Sequence, residues 1–238
     1  MRTMTEVSPQ KLQIEVGKST SVSALLIRPD NARACFVFAH GAGAGMMHPS
    51  MEAVAHGLAA RGIATLRYQF PYMEKGSKRP DPPAIAHAAV RAAAAEAARA
   101  CPTLPRIAGG KSFGGRMTSQ AQAKAPLEGV RGLAFLGFPL HAAGKPSDER
   151  AAHLADVHIP MLFLQGGADK LAELDLLRPV VAGLGRLATL HVIDGADHSF
   201  HVPKRSPRND HEVMDEVLDA FAAWIGTTIA RNHGGSSP

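Results

Sequence analysis

The sequence predicts an α/β protein built on one mostly parallel, twisted sheet with helices on both faces and no cap domain. Three observations carry this. Short apolar runs alternate with helical patterns along most of the chain, the order that produces parallel sheets. Several runs, such as residues 34–39, are apolar at nearly every position, which implies burial on both faces. Glycine-rich or proline-rich turns follow these runs, at the strand ends where such sheets bind ligands. The chain has 238 residues, 45% hydrophobic and 20% charged, enough for one sizeable core, so a single domain over residues 1–238 is expected.

Taken in order, residues 11–16 alternate polar and apolar like a half-buried edge strand, and residues 21–28 form a second strand stopped by Pro29 and Asp30. Together they suggest an opening antiparallel pair. Residues 34–39 are a central strand that runs into the glycine-rich loop His40–Gly45. Ser50 is positioned to cap a helix carrying Met51, Val54, Ala55 and Leu58 on one face, and Gly62 ends it. Residues 63–70 read as the next strand, and residues 71–83, rich in proline and charge, as a loop at the sheet's C-terminal edge. Tyr68, Phe70 and Tyr72 lie near that edge, with packing the expected role for at least two of them. Pro82 and Pro83 open an alanine-dense helix reaching about residue 100.

A strand, a sharp turn at Ser112 and a helix follow. Residues 132–138 form another buried strand, with His141 just beyond as a loop residue behind the site. Residues 142–158 leave room for a loop and one short helix, too little for a cap, so an open site is expected. Residues 159–165 are a strand leading into Gly166-Gly167-Ala168-Asp169. A helix over 171–183, a last strand over 187–193 and a loop over 194–200 come next. The terminal helix starts at 209 or 210, with Met214, Val217, Leu218, Phe221 and Ile225 at helical spacing, and residues 232–238 read as a flexible tail.

Composition excludes several functions. Cys35 and Cys101 belong to no metal-type pair and read as free thiols. The N-terminus lacks the apolar region of a secretory signal, and no run is long enough to span a membrane, which points to the cytoplasm and away from membrane binding. The formal charge of +5 is not one patch: Lys75, Lys78 and Arg79 sit in one loop and Lys204, Arg205 and Arg208 in another. Such runs read as solvated surface, and aromatics are too sparse among them for a nucleic-acid platform. No phosphate-cradling motif is present, and His198 and His201 lack a carboxylate at metal-site spacing. Neither cofactor nor metal is expected.

The chemistry centres on Gly110-Lys111-Ser112-Phe113-Gly114. A serine on a strand-to-helix turn needs a strained backbone, and small residues two before and two after let strand and helix approach. Its hydroxyl then stands above the sheet, and the Phe113 N–H lies at a helix start, suited to a developing oxyanion. Upstream, the His40-Gly41 pair opens a loop able to supply a second donor: Ala42 first, Gly43 as runner-up. Downstream come Asp169 and His198, so nucleophile, acid and base follow the chain order of a sheet of this kind. His198 is the expected base, Asp169 the residue that orients it. Asp197 and Asp194 are the alternatives to Asp169. His40, Gly43 and Tyr72 are expected against the substrate.

Taken together, Gly-Lys-Ser112-Phe-Gly-Gly-Arg, the His40–Gly45 loop, the Gln-Gly-Gly-Ala-Asp169 turn and Asp-His198-Ser-Phe resemble the α/β-hydrolase superfamily. More narrowly, they resemble its small cap-less branch related to a subunit of the NSL chromatin complex, and distantly dienelactone hydrolase. The resemblance runs from about residue 12 to 226. It implies a serine hydrolase with a small-molecule acyl substrate, an ester or thioester. The alternative is an interaction module that keeps the scaffold without the chemistry.

Overall fold

The computed structural model describes residues 8–231; the expected tail over 232–238 lies outside the described residues. Among the described residues no helix is long and apolar enough to cross a membrane. β1 (Gln10–Val16) and β2 (Thr20–Ile27) form the antiparallel opening pair. The chain continues through β3 (Ala34–Ala39), α1 (Pro49–Ala60), β4 (Ile63–Tyr68), α2 (Pro71–Glu74), α3 (Pro83–Ala100), β5 (Arg106–Lys111) and α4 (Phe113–Lys124). After β6 (Val130–Leu136) comes a 3₁₀ helix (Glu149–Asp156), then β7 (Met161–Gly166), α5 (Leu174–Gly183), β8 (Ala188–Ile193) and α6 (Asp210–Arg231).

The eight strands lie in the order β1-β2-β4-β3-β5-β6-β7-β8, and every pair from β4 to β8 is parallel. From β3 the chain turns to one side to make β4, then crosses back to the other side for β5. The carboxyl ends of β3 and β5 therefore flank the point where strand order reverses, which is where such sheets open a crevice. The two loops leaving these ends carry His40–Gly45 and Ser112.

Alternation along β3 shows how both faces are covered. Ala34, Phe36 and Phe38 point into the core beneath α1 and α6, and Cys35, Val37 and Ala39 into the one beneath α3, α4 and α5. Phe36 stacks on Phe38, centroids 5.0 Å apart, and meets the edge of Phe221 from α6 at 4.8 Å. Removing each such side chain from water contributes roughly 1.5–3 kcal/mol, which fixes the strand's register against a one-residue slip. Cys35 and Cys101 are buried free thiols facing one another in the second core.

Two local expectations are corrected. His48, not Ser50, caps α1: its ring accepts the Ser50 N–H at 3.2 Å, because Pro49 takes the first helical position and moves the cap one residue back. The segment after β4 is not all loop, since Pro71 starts the single-turn helix α2. Between β6 and β7 the 3₁₀ helix packs on α4, and among the described residues no cap covers the sheet's carboxyl edge.

Candidate active site

Ser112 sits between β5 and α4 with φ 51° and ψ −117°, a region that non-glycine residues seldom occupy. The bend is held on both sides. Its N–H donates to the Leu136 carbonyl at 3.2 Å, and its own carbonyl accepts the Arg116 N–H at 3.1 Å. The flanking glycines are steric requirements: a Cβ on Gly110 would stand 2.4 Å from the Ala39 oxygen, and one on Gly114 2.5 Å from that of His40. Both contacts are with the end of β3, so the spelling of the motif is dictated by the neighbouring strand.

Three loops bring the polar groups together. Ser112 Oγ donates to Nε2 of His198 at 2.8 Å, and Nδ1 of the same ring donates to the Asp169 carboxylate at 2.6 Å. An ionised carboxylate only accepts, so the proton of a neutral ring lies on Nδ1 and Nε2 is free to take the serine's. Asp169 is fully buried at its side chain and also accepts from the Leu171 N–H at 2.8 Å and from the Gln165 amide. Gln165 is itself buried, its oxygen taken by the Phe138 N–H at 2.9 Å. The carboxylate is thus held from three directions. Asp197 is occupied elsewhere, accepting the N–H groups of Ser199 and His201 and so shaping the His198 loop, while Asp194 is exposed.

In the glycine loop, Ala42 and Gly43 are exposed at the rim. The Gly43 N–H points to the Tyr72 hydroxyl at 3.4 Å, whereas among the described residues the Ala42 N–H meets no protein acceptor. The Phe113 N–H opens α4, where no intrahelical partner exists for it. His40, expected against substrate, is instead wholly buried. Its Nδ1 donates to the Gly41 carbonyl at 2.7 Å and its Nε2 accepts the Phe70 N–H at 3.0 Å, so both nitrogens are spent on shaping the loop. Burial pulls its pKa down to about 4, keeping it neutral. Tyr72 is likewise buried, packed near His40, Phe70 and Phe113, and only its hydroxyl approaches the loop.

The sequence model of the alpha/beta hydrolase domain matches residues 32–226. The chain belongs to the α/β-hydrolase family. Its fold is similar to that of dienelactone hydrolase from Anabaena variabilis, at 21% identity over 94% of this chain and 99% of that one, TM-score 0.75. It is also similar to an α/β serine hydrolase without lid from Xanthomonas campestris, at 20% identity over 91% and 94%, TM-score 0.70. Est1E from Butyrivibrio proteoclasticus, solved with ferulic acid, matches at 16% identity over 90% and 99%, TM-score 0.69. At such identities the likeness is one of fold.

This α/β hydrolase also holds residues beside Ser112 that no sequence motif marks. Gln165 ends an otherwise apolar strand, and that lone polar residue is the signal for it. Lys111 fills the variable position of the serine motif. Its stem passes Gly41, and its ammonium donates to the His198 carbonyl and lies 4.9 Å from the Phe200 ring centroid. Burial brings its pKa down from 10.5 to about 8, against the pull of Asp169 and Asp197. Gln69 and Arg67 tie the glycine loop to β4, through the Met46 N–H at 2.8 Å and the Met46 carbonyl at 3.2 Å. His141 is buried between the Ala142 carbonyl and the Glu173 carboxylate, behind the Asp169 turn. Among the described residues no group of three or more His, Cys, Asp or Glu side chains is arranged to hold a metal ion.

Proposed function

We propose that the protein is a serine hydrolase that cleaves a small ester or thioester through an acyl-enzyme. The observation that carries this is the His198 ring standing between Ser112 Oγ at 2.8 Å and Asp169 at 2.6 Å. In this reading Ser112 Oγ attacks the acyl carbonyl as its proton passes to Nε2 of His198. Asp169 keeps the ring in the receptive tautomer and stabilises the imidazolium. The negative charge formed on the carbonyl oxygen is held by the N–H groups of Phe113 and Ala42. Collapse expels the alcohol or thiol, protonated by His198, and leaves the acyl group on Ser112. Water, deprotonated by the same ring, then releases the acid and restores the serine. That no cap is present among the described residues supports acyl groups entering from the solvent side.

A fluorophosphonate probe tests the reading. Labelling of the wild type and its loss in Ser112→Ala are expected, with hydrolysis of an activated ester falling by roughly 10³-fold or more. An unlabelled wild type, or equal labelling of the variant, would favour an interaction module on the same scaffold.

A further inference from the structure

Arg116 borders this site and takes no part in the mechanism above. Its N–H donates to the Ser112 carbonyl, one helical turn earlier, so the two residues share a face of α4. Helical side chains lean toward the N-terminus, and the Arg116 guanidinium accordingly reaches back to Phe113, with Cζ 6.0 Å from the ring centroid. A permanent cation therefore stands over the residue whose N–H is offered to the oxyanion.

Among the described residues that cation has no counterion. Arg116 Nε is buried without a hydrogen-bond partner, and among the described residues no carboxylate pairs with Arg116 or Arg150. Arg150 belongs to the 3₁₀ helix, which is tied to α4 by the bond between Ser119 and His153 at 2.7 Å. Burial first, and the Arg150 charge second, hold the Arg116 guanidinium below its ordinary pKa. Both guanidinium groups are half-buried, on elements that pack against each other, and an anion bound at this face would offset their mutual repulsion. The planar forks of arginine suit a carboxylate or phosphate in particular.

We propose that Arg116 and Arg150 form a subsite for an anionic group carried by the substrate, so that the esters or thioesters cleaved at Ser112 bear a carboxylate or phosphate. The proposal rests on the serine-hydrolase reading. It makes the 3₁₀ helix a determinant of specificity, where the sequence alone offers only a short connection.

The test compares 4-nitrophenyl hydrogen glutarate with its methyl-capped, neutral analogue. Wild type should favour the anionic ester in kcat/KM by about tenfold to a hundredfold, the range for one or two charge-assisted hydrogen bonds, and less at high salt. Arg116→Gln and Arg150→Gln should each shrink that ratio mainly through KM, the double variant should bring it toward one, and Arg116→Lys should retain part of it. Competition by glutarate but not inorganic phosphate assigns a carboxylate; the reverse assigns a phosphate. Turnover of the neutral ester with a wild-type ratio near one, or a ratio unchanged by both Gln substitutions, overturns the subsite and leaves the hydrolase reading standing. If neither ester is cleaved, the hydrolase reading fails, and thermal shifts decide the subsite. Stabilisation by glutarate or phosphate that is lost in Arg116→Gln supports it, and equal or absent shifts overturn it.

Discussion

Lys111→Met is expected to stabilise the protein while slowing it. The Lys111 ammonium is packed against the His198 carbonyl, the Phe200 ring and Gly137, where a Cβ would stand 2.8 Å from Nζ. Its pKa falls from 10.5 to about 8 because burial disfavours the charged form. At ~1.4 kcal/mol per pH unit, that drop corresponds to at most about 3.5 kcal/mol of lost stability, a ceiling because water still screens the half-buried side chain. Below pH 8 the lysine is protonated in both folded and unfolded chains, and the whole penalty is present. Between about 8 and 10.5 the unfolded lysine keeps its proton and the folded one has lost it. Unfolding then takes up a proton, and stability rises with pH. Urea unfolding of both proteins from pH 7 to 10.5 measures this. The Met variant should lead by up to about 3.5 kcal/mol at pH 7, and the wild type should close that gap across the window. At the same time, kcat for an activated ester should fall with little change in KM, because the loop carrying His198 loses its tether. A gap that stays constant with pH, or widens as pH rises, would refute the reasoning.

Other substitutions probe the remaining supports. Folded His40 stays neutral down to about pH 4 whereas the unfolded residue charges near 6.5, so unfolding takes up a proton between those values and stability falls as the pH drops through them. The loss should approach about 3 kcal/mol, and His40→Gln, whose amide can both donate and accept, should flatten the dependence in urea titrations from pH 7 to 4. Gly114→Ala drives a methyl group to within 2.6 Å of two backbone carbonyl oxygens, those of His40 and Ala39. A cost of at least about 2 kcal/mol, seen as a melting temperature lower by roughly 5 °C or more, is expected. Asp169→Asn leaves the shape intact but lets the His198 ring carry its proton on the wrong nitrogen, and kcat should fall by about 10³- to 10⁴-fold.

The sheet is legible in the sequence because strands buried on both faces are apolar at nearly every position, as 34–39 is throughout and 159–165 is up to Gln165. The Ser112 turn is legible because Gly110 and Gly114 answer a steric demand that no other residue meets. Asp169 and His198 stand out by their position after late strands, and the fold brings their side chains to Ser112. His40 and Tyr72 are misread because the glycine loop marks where a site lies without saying which neighbours face solvent. Both are polar, yet both turn inward, spending their hydrogen bonds on the backbone. Lys111 and Arg116 are harder still. At a position where the motif accepts many residues, a lysine signals nothing until its ammonium is seen to reach a loop 87 residues away.

The parallel pairing of β5 to β8 also makes the site depend on contacts distant in sequence. Ser112 and His198 are 86 residues apart in sequence, and the strand behind His198 pairs only with β7, at the sheet's edge. The elbow needs only β3, β5 and β6 in register, whereas its partner ring needs β7 and β8 in place as well. Contacts of such long span form late and slowly. In a chain refolding from denaturant, helical signal is therefore expected to return before hydrolase activity, so that activity would report completion of the fold where spectroscopy reports only its beginning.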